Sequence, residues 1–250
     1  LRDLARRLST RIGAPVEPVS LLHSSAIDAA LLGGTSAEIL FPALERRLAA
    51  GQNEFVIVPL FFGPSRALTD YLPENMEKLR RKFPALRLKV TPTLHSPSDD
   101  RLAQILAQHV RDLLGSFAAD RVVLVDHGSP VEAVTAVRND LARQLGGLLG
   151  SRIATVAPAS MERRAGREYD FCAPLLADLL ATPPWTAGRV IVAMQFLLPG
   201  RHAGPSGDIA QICSTAEAAH PGLKTKMTKL VAEHPLLVDI LADRWRSSTD

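Results

Sequence analysis

Two histidines in this sequence each follow an apolar run that is typical of a strand buried on both faces of a parallel sheet. The first run, 122–125, reads VVLV and is followed by Asp126 and His127. The second run, 190–198, ends shortly before His202. Because open α/β sheets bind ligands outside the carboxyl ends of their strands, two histidines in these positions can converge on one point above the sheet.

Imidazole offers two kinds of chemistry at such a point. In its neutral form it binds Co²⁺, Ni²⁺, Fe²⁺ and Zn²⁺ in preference to Mg²⁺ or Ca²⁺, and it exchanges protons near neutral pH. A lone histidine after a strand is more often a turn or capping residue, so His127 alone would carry little weight. The matching position of His202 favours a shared site for a metal ion or for proton transfer.

The elements that would position these histidines alternate between strand and helix along the chain, which is typical of an α/β fold. The strand patterns cover 16–22, 55–62, 86–91, 122–125, 153–157, 190–197 and 224–230. The helix patterns cover 1–8, 37–50, 74–82, 102–114, 132–146, 173–181, 208–218 and 236–246.

The second half of the chain repeats the first in four segments of the same order and nearly constant offset. The matched pairs are LRDLARRL at 1–8 with RNDLARQL at 138–145, FVIVPLFF at 55–62 with RVIVAMQF at 189–196, PALRLKVT at 84–91 with PGLKTKMT at 221–228, and LAQILAQHV at 102–110 with LVDILADRW at 237–245. We therefore predict two similar tandem domains, 1–116 and 117–250, each a mostly parallel sheet flanked by helices, with a cleft between them.

The repeat also predicts that only the second domain carries the site histidines. Ala67, in PSRA, falls opposite His202, in PGRH, and the counterpart of His127 would lie before Leu1. By the same comparison about 17 residues would precede Leu1. We therefore expect the first strand of domain 1 to be absent from this chain.

The composition indicates which kinds of molecule the protein is expected to bind. The chain has 250 residues, of which 46% are hydrophobic and only 5% aromatic, with a formal net charge of +3. This mild excess of positive charge suits an acidic small molecule, while the lack of a nucleic-acid motif argues against DNA and RNA. No apolar run is long enough to cross a bilayer and no export signal is evident, so we expect a cytoplasmic protein with no membrane partner. Cys172 and Cys213 lack the spacing of a zinc or iron–sulfur site.

Three segments give the chain a family likeness. VVLVDHGSPVEAVTAVRNDLARQL, FLLPGRHAGPSGDIAQIC and EHPLLVDILADR resemble the class II chelatases, especially the sirohydrochlorin cobaltochelatase group. SMERRAGREYDF, at 160–171, is similar to a feature of the long, two-domain members. HGS by itself is a weak signal, but HGS followed some seventy residues later by PGRH in a repeated α/β chain is fairly specific.

The resemblance implies a lyase that inserts a divalent metal, above all cobalt, into a sirohydrochlorin-type tetrapyrrole in cobalamin or sirohaem biosynthesis. The family's two catalytic and metal-binding histidines map onto His127 and His202. No cofactor would be permanently bound, because the metal is itself a substrate. A chelatase must release its metal, which favours two protein ligands over a closed four-ligand site. Fusion of the two halves would allow the chain to act as a monomer.

An anionic tetrapyrrole also needs groups that bind its carboxylates. Arginine forks bind carboxylates well, and we predict this role for Arg163 and for Arg201, which adjoins a histidine of the site. The backbone at Gly128 and Ser129 lies before a helix, where amides can hold an anionic group. Gly200, in the same turn as Arg201, completes the predicted substrate-binding set.

Other interpretations stay open at this point. Glu162 can take a proton or lead metal in, but it can equally pair with its arginine neighbours; His23, after the strand pattern 16–22, can face the cleft. The chain can be a chelatase for iron or nickel, or a non-catalytic module that binds a tetrapyrrole or a metal. A two-domain sugar- or amino-acid-binding protein is a further class, but such proteins are normally exported.

Overall fold

The fold is built on pairs of parallel strands. A computed structural model describes residues 1–22, 29–32 and 34–248. The strands are β1 (Val19–Ser20), β2 (Glu38–Ile39), β3 (Glu54–Ile57), β4 (Arg87–Val90), β5 (Arg121–Asp126), β6 (Thr155–Ser160), β7 (Gly188–Met194) and β8 (Leu223–Met227). The helices are α1 (Arg2–Ile12), α2 (Leu40–Ala49), α3 (Leu72–Lys82), α4 (Arg101–Leu114), α5 (Glu132–Leu149), α6 (Leu176–Leu180), α7 (Asp208–Ala219) and α8 (Leu236–Arg246).

One compact unit, His95–Leu237, contains a four-stranded parallel sheet in the order β6-β5-β7-β8. Its inner strand β5 pairs Arg121 with Thr155 on one side and with Val190 on the other. All residues from Val122 to Asp126 are buried, as expected for a strand covered on both faces. The α/β class predicted from the sequence is therefore confirmed.

Helices cover both faces of this sheet. Val123 and Val125 belong to a core cluster with residues of α6 and α7. Because successive side chains of a strand point to opposite faces, Val122 and Leu124 face the other side, where α4 and α5 pack against each other and against the sheet. The residues that follow β5 and β7 therefore begin at strand ends that are packed on both faces.

The other compact unit is Leu1–Leu94 with Val238–Asp250. It contains two separate parallel pairs, β1 with β2 and β3 with β4. Its apolar cluster comes from α2, α3 and β4, and the buried members are Leu40, Leu44, Leu48, Leu72, Met76, Leu79, Leu86 and Leu88. The division differs from the predicted domains 1–116 and 117–250, because α4 falls in the His95–Leu237 unit and most of α8 in the other.

In both units the end of one strand pairs in parallel with a residue directly before a helix. Ser20, at the end of β1, pairs in parallel with Ile39 directly before α2, and Ser160, at the end of β6, pairs in parallel with Leu175 directly before α6. In the described residues β1 and β3 lie in different sheets, whereas β5 joins β6 to β7. The tandem repeat stays a prediction.

Several predicted elements differ in length from the observed ones. The strand pattern 16–22 forms only the two residues of β1, and the sequence analysis missed β2. The predicted strand 55–62 ends at Ile57, and the predicted helix 173–181 begins only at Leu176. His23 lies outside the described residues. Among the described helices, none combines the length and the apolar character needed to cross a membrane.

A buried histidine of the His95–Leu237 unit packs against a second, half-buried one. His109, on α4, is 2% exposed, and its ring centre is 5.6 Å from that of His234. In the described residues the Nδ1 atom of His109 has no hydrogen-bond partner. Burial lowers the pKa of His109, and the neighbouring His234 lowers it further, against the opposing effect of Asp112 and Glu233. Burial also lowers the pKa of His234.

We expect this pair to make the protein less stable in acid. A histidine whose pKa is lowered by folding binds more protons in the unfolded chain, so its contribution to stability is complete above about pH 6.5 and is lost as the pH falls. Thermal unfolding between about pH 7.5 and pH 5.5 should therefore show a smaller fall in Tm for His109→Leu than for the parent. His220→Gln, at the end of α7 and outside the pair, is the control. Equal falls in the parent and His109→Leu would contradict this account.

Candidate functional site

The structure brings the two predicted site histidines together. Their ring centres are 4.7 Å apart and the ring planes are inclined by 75°. The elements explain the proximity: β5 and β7 are adjacent parallel strands that pair Val125 with Met194 at their carboxyl ends. His127 follows β5 directly, and the chain after β7 turns back to place His202 shortly before α7.

His127 presents one nitrogen outward. Its Nδ1 atom lies 3.0 Å from the backbone oxygen of Gly128, and because a carbonyl only accepts, Nδ1 carries the proton. In the neutral ring the lone pair is then on Nε2, which lies 3.5 Å from Oε1 of Glu162. Both of these facing atoms are acceptors, so the gap between them suits a cation.

His202 presents the same nitrogen. Its Nδ1 atom lies 2.5 Å from Oδ2 of Asp208, the first residue of α7. An ionised carboxylate also only accepts, so the proton is again on Nδ1 and the lone pair on Nε2. Both rings therefore use one nitrogen to hold their orientation and keep the other for a ligand.

Glu162 reaches His127 through close backbone packing. The pairing of β5 with β6 continues beyond the strands, where the amide of Met161 donates to Asp126 O (2.8 Å) and that of Glu162 to His127 O (3.2 Å). Gly128 has φ +90°, and a Cβ atom there would lie 1.9 Å from Glu162 O. The approach of the two loops therefore requires glycine at this position.

A second glycine allows the same kind of approach at His202. A Cβ atom on Gly207 would lie 2.6 Å from Arg201 O and 2.7 Å from His202 O. These carbonyls accept from the first amides of α7, those of Asp208 (3.3 Å) and Ile209 (3.2 Å). The loop that carries His202 is thus closed tightly onto the start of the helix.

A buried polar network lies directly beneath His127. Asp126 Oδ1 accepts from the Gly128 amide (3.1 Å) and from the Ser160 hydroxyl (2.8 Å). Arg138, which is 1% exposed, donates to Ser160 Oγ (2.6 Å) and to Cys172 O (2.7 Å), and its guanidinium is 4.0 Å from Asp126 Oδ1.

Asp126 and Arg138 each oppose the effect of burial on the pKa of the other. Burial raises the pKa of the Asp126 carboxyl, whereas the hydrogen bond from Ser160 and the charge of Arg138 oppose that rise. Burial likewise lowers the pKa of Arg138, and Asp126 opposes this effect. The sequence pattern does not reveal the network; its one signal is an arginine between the apolar positions of α5.

The predicted substrate-binding residues around His127 differ in what they contact. Ser129 uses its hydroxyl to accept from the Val131 amide (3.1 Å), which shapes the start of α5. Arg163 donates to Gly166 O (3.0 Å) and pairs with Asp170 (3.0 Å), so it is bound within its own loop.

The two predicted residues beside His202 are open to solvent. Gly200 has nothing within 4 Å of the position a Cβ would take. The side chain of Arg201 is 84% exposed and its Nε is 3.8 Å from Asp208 Oδ2. Arg164 and Arg167 are also exposed. Of the predicted arginines, Arg201 is thus the one that remains accessible beside a histidine.

The described residues contain no group of three or more histidine, cysteine or acidic side chains already close enough to hold a metal ion. The arrangement instead offers two imidazoles and, beside one of them, a carboxylate. Such a partial ligand set leaves coordination positions for water or for an incoming molecule.

Comparison with known proteins places the chain among characterised folds and families. The family model of CbiX matches residues 121–248, just over half of the chain, whereas no curated protein matches the sequence. Several solved structures share only 16% or 18% sequence identity with the chain and are similar to it in fold.

Three solved structures illustrate the likeness. SirB from Bacillus subtilis with Fe³⁺ has a TM-score of 0.73 at 16% identity, covering 99% of this chain and 87% of that chain. The sirohydrochlorin chelatase SirB from Bacillus subtilis subspecies spizizenii, in complex with cobalt, has a TM-score of 0.70 at 16% identity, covering 99% and 86%. CbiX, described as the terminal enzyme for biosynthesis of sirohaem in denitrifying bacteria, has a TM-score of 0.60 at 18% identity, covering 98% and 89%.

The close approach at Gly128 gives a stability prediction. Gly128→Ala would place a methyl group on a backbone oxygen and force a non-glycine residue to positive φ, which costs about 1–3 kcal/mol or more. Gly200→Ala, where the space is open, should change the free energy of unfolding by less than about 0.5 kcal/mol. Urea unfolding of the two variants checks the difference. Equal stability of both would mean that the loop approach at Gly128 is not a constraint.

Proposed function

Because the chain belongs to the CbiX family, we propose that it is a chelatase that inserts a divalent metal into a sirohydrochlorin-type tetrapyrrole. The family match and the chelatase fold support this reaction class. The observation that carries the proposal is the facing pair of acceptors, His127 Nε2 and Glu162 Oε1, beside a second imidazole, that of His202.

The distances suit a shared metal ion. Two ligands about 2.1 Å from a tetrahedral metal are about 3.4 Å apart, and His127 Nε2 and Glu162 Oε1 are 3.5 Å apart. Two imidazoles on one such metal have ring centres about 5 Å apart, and those of His127 and His202 are 4.7 Å apart. We therefore propose that both histidines bind the incoming metal through Nε2 and that Glu162 is a third, weaker ligand.

An incomplete ligand set is what metal transfer requires. In insertion the tetrapyrrole releases two pyrrole protons and its nitrogens replace the water and protein ligands of the metal, whose oxidation state does not change. Glu162 and the Nε2 atoms of the histidines are the acceptors nearest to the metal, so they can take those protons as the metal leaves. No further cofactor is needed for this exchange.

The surroundings offer anchors for an anionic substrate. The exposed Arg201 can pair with a substrate carboxylate, and the backbone of Gly128, Ser129 and Gly200 lines the same loops. Arg163 is held by Asp170 and Gly166, so we propose that it stiffens the loop.

We propose cobalt as the metal, with iron and nickel as the alternatives. Imidazole and carboxylate ligands accept all three and bind Mg²⁺ less well. Two similar structures hold Fe³⁺ and cobalt, respectively. The reaction would belong to cobalamin or sirohaem biosynthesis, carried out by a cytoplasmic chain that can act as a monomer.

The test follows the absorbance of sirohydrochlorin during incubation with Co²⁺, with the uncatalysed rate subtracted. His127→Ala and His202→Ala should each abolish insertion, because each removes one of the two strong ligands. Glu162→Gln should lower kcat by about 10²-fold or more, because it removes a proton acceptor and keeps the size of the side chain.

His220→Ala is the matched control, since it removes an imidazole from the same unit at the far end of α7. It should keep the parent rate. Insertion by the His127→Ala/His202→Ala double variant at the parent rate would contradict the proposal. Binding of Co²⁺ and tetrapyrrole by the parent without turnover would favour a non-catalytic binding module.

A further inference from the structure

The two site histidines are held by different kinds of partner. His127 donates from Nδ1 to a neutral backbone carbonyl, that of Gly128. His202 donates from Nδ1 to the carboxylate of Asp208 at 2.5 Å, a charge-assisted bond. A carboxylate behind an imidazole fixes the orientation of the ring and strengthens the opposite nitrogen as a metal ligand.

Asp208 is itself fixed in place. It is the first residue of α7, and its amide donates to Arg201 O while the next amide, that of Ile209, donates to His202 O. Gly207 permits this closure because any Cβ there would meet the carbonyls of Arg201 and His202. Since the helix start holds both the carboxylate and the backbone of the histidine, the two side chains keep one relative geometry.

We propose that Asp208 is a positioning residue that keeps the Nε2 atom of His202 directed at the metal. This inference rests on the proposed function in that it takes His202 as a metal ligand. Asp208 does not touch the metal; it acts through the imidazole. The charge of the Asp208 carboxylate also offsets the positive charge that reaches the imidazole when a divalent ion binds.

A merely structural role for Asp208 has to be distinguished from this one. An acidic residue in the first turn of a helix stabilises the helix whatever its other contacts. Asp178, in the first turn of α6, has the same kind of position and is exposed. Asp178→Asn is therefore the matched control, because it removes the same charge from a helix start without touching a histidine.

The experiment titrates the purified full chain with CoCl₂ alone and follows the visible ligand-field bands of the ion. We expect Asp208→Ala to weaken Co²⁺ binding about 10–100-fold and to reduce the intensity of the bands. Asp208→Asn should lose less affinity than Asp208→Ala, because its amide oxygen can still accept from Nδ1. Asp178→Asn should bind Co²⁺ as the parent does, and circular dichroism checks that each variant is folded.

A double variant gives the decisive comparison. If Asp208 acts through the imidazole, Asp208→Ala should cause little further loss of Co²⁺ affinity in a chain that already carries His202→Ala. An equal loss in both backgrounds would overturn the proposal, as would parent-like Co²⁺ binding by Asp208→Ala or the absence of Co²⁺ binding by the parent.

These outcomes are separate from those of the activity test. Binding of Co²⁺ that depends on Asp208 in a chain that inserts no metal would uphold the positioning role and contradict the proposed reaction. Metal insertion by the parent together with unchanged Co²⁺ binding by Asp208→Ala would contradict the positioning role and leave the reaction in place.

Discussion

The site depends on the buried contact of Asp126 with Ser160 and Arg138. Asp126 ends β5 and Ser160 ends β6, so the Ser160 hydroxyl that donates to the carboxylate joins the two strand ends. Arg138 adds α5 through Ser160 and the segment before α6 through the carbonyl of Cys172. Leaving one partner of such a pair buried alone costs about 3–5 kcal/mol, so this contact favours holding the four parts of the chain together.

Two of the three candidate site residues lie one or two positions beyond that contact. His127 follows Asp126 directly, and Glu162 lies two residues beyond Ser160. The 3.5 Å gap between their side chains is therefore set by the strand pairing and by the absence of a side chain at Gly128. His202 arrives by a different route, through a loop that closes onto α7 at Gly207. The strand ends that carry His127 and Glu162 and the loop that carries His202 thus come together where the two imidazoles are in contact.

The features that the sequence revealed are those governed by local periodicity. Unbroken apolar runs predicted the buried strands β5 and β7, and the rule that parallel strands end at the same edge predicted that His127 and His202 can meet. The contact of the two rings follows from topology, since β5 and β7 are neighbours in the sheet. The family likeness carried by HGS and PGRH agrees with the match of the CbiX model to residues 121–248.

The features that the sequence did not reveal depend on distances across the fold. Nothing in the pattern around Asp208 shows that its carboxylate reaches His202, because five residues of loop separate them. The charge of Arg163 predicts substrate binding, whereas the contacts of its side chain with Gly166 and Asp170 of its own loop are visible only in the structure. The two-residue strand β2 is too short to show a period. The unit to which α4 belongs is decided by packing against α5 and β7, which no local pattern records.

The most direct test of the account is X-ray absorption spectroscopy of the chain loaded with one equivalent of Co²⁺. The account predicts two imidazole ligands about 2.1 Å from the metal, with oxygen atoms from carboxylate or water in the remaining positions. The signature of one imidazole should disappear in His127→Ala and likewise in His202→Ala. A Co²⁺ ion surrounded by oxygen alone, or an unchanged spectrum in both variants, would contradict the claim that these two histidines share the metal.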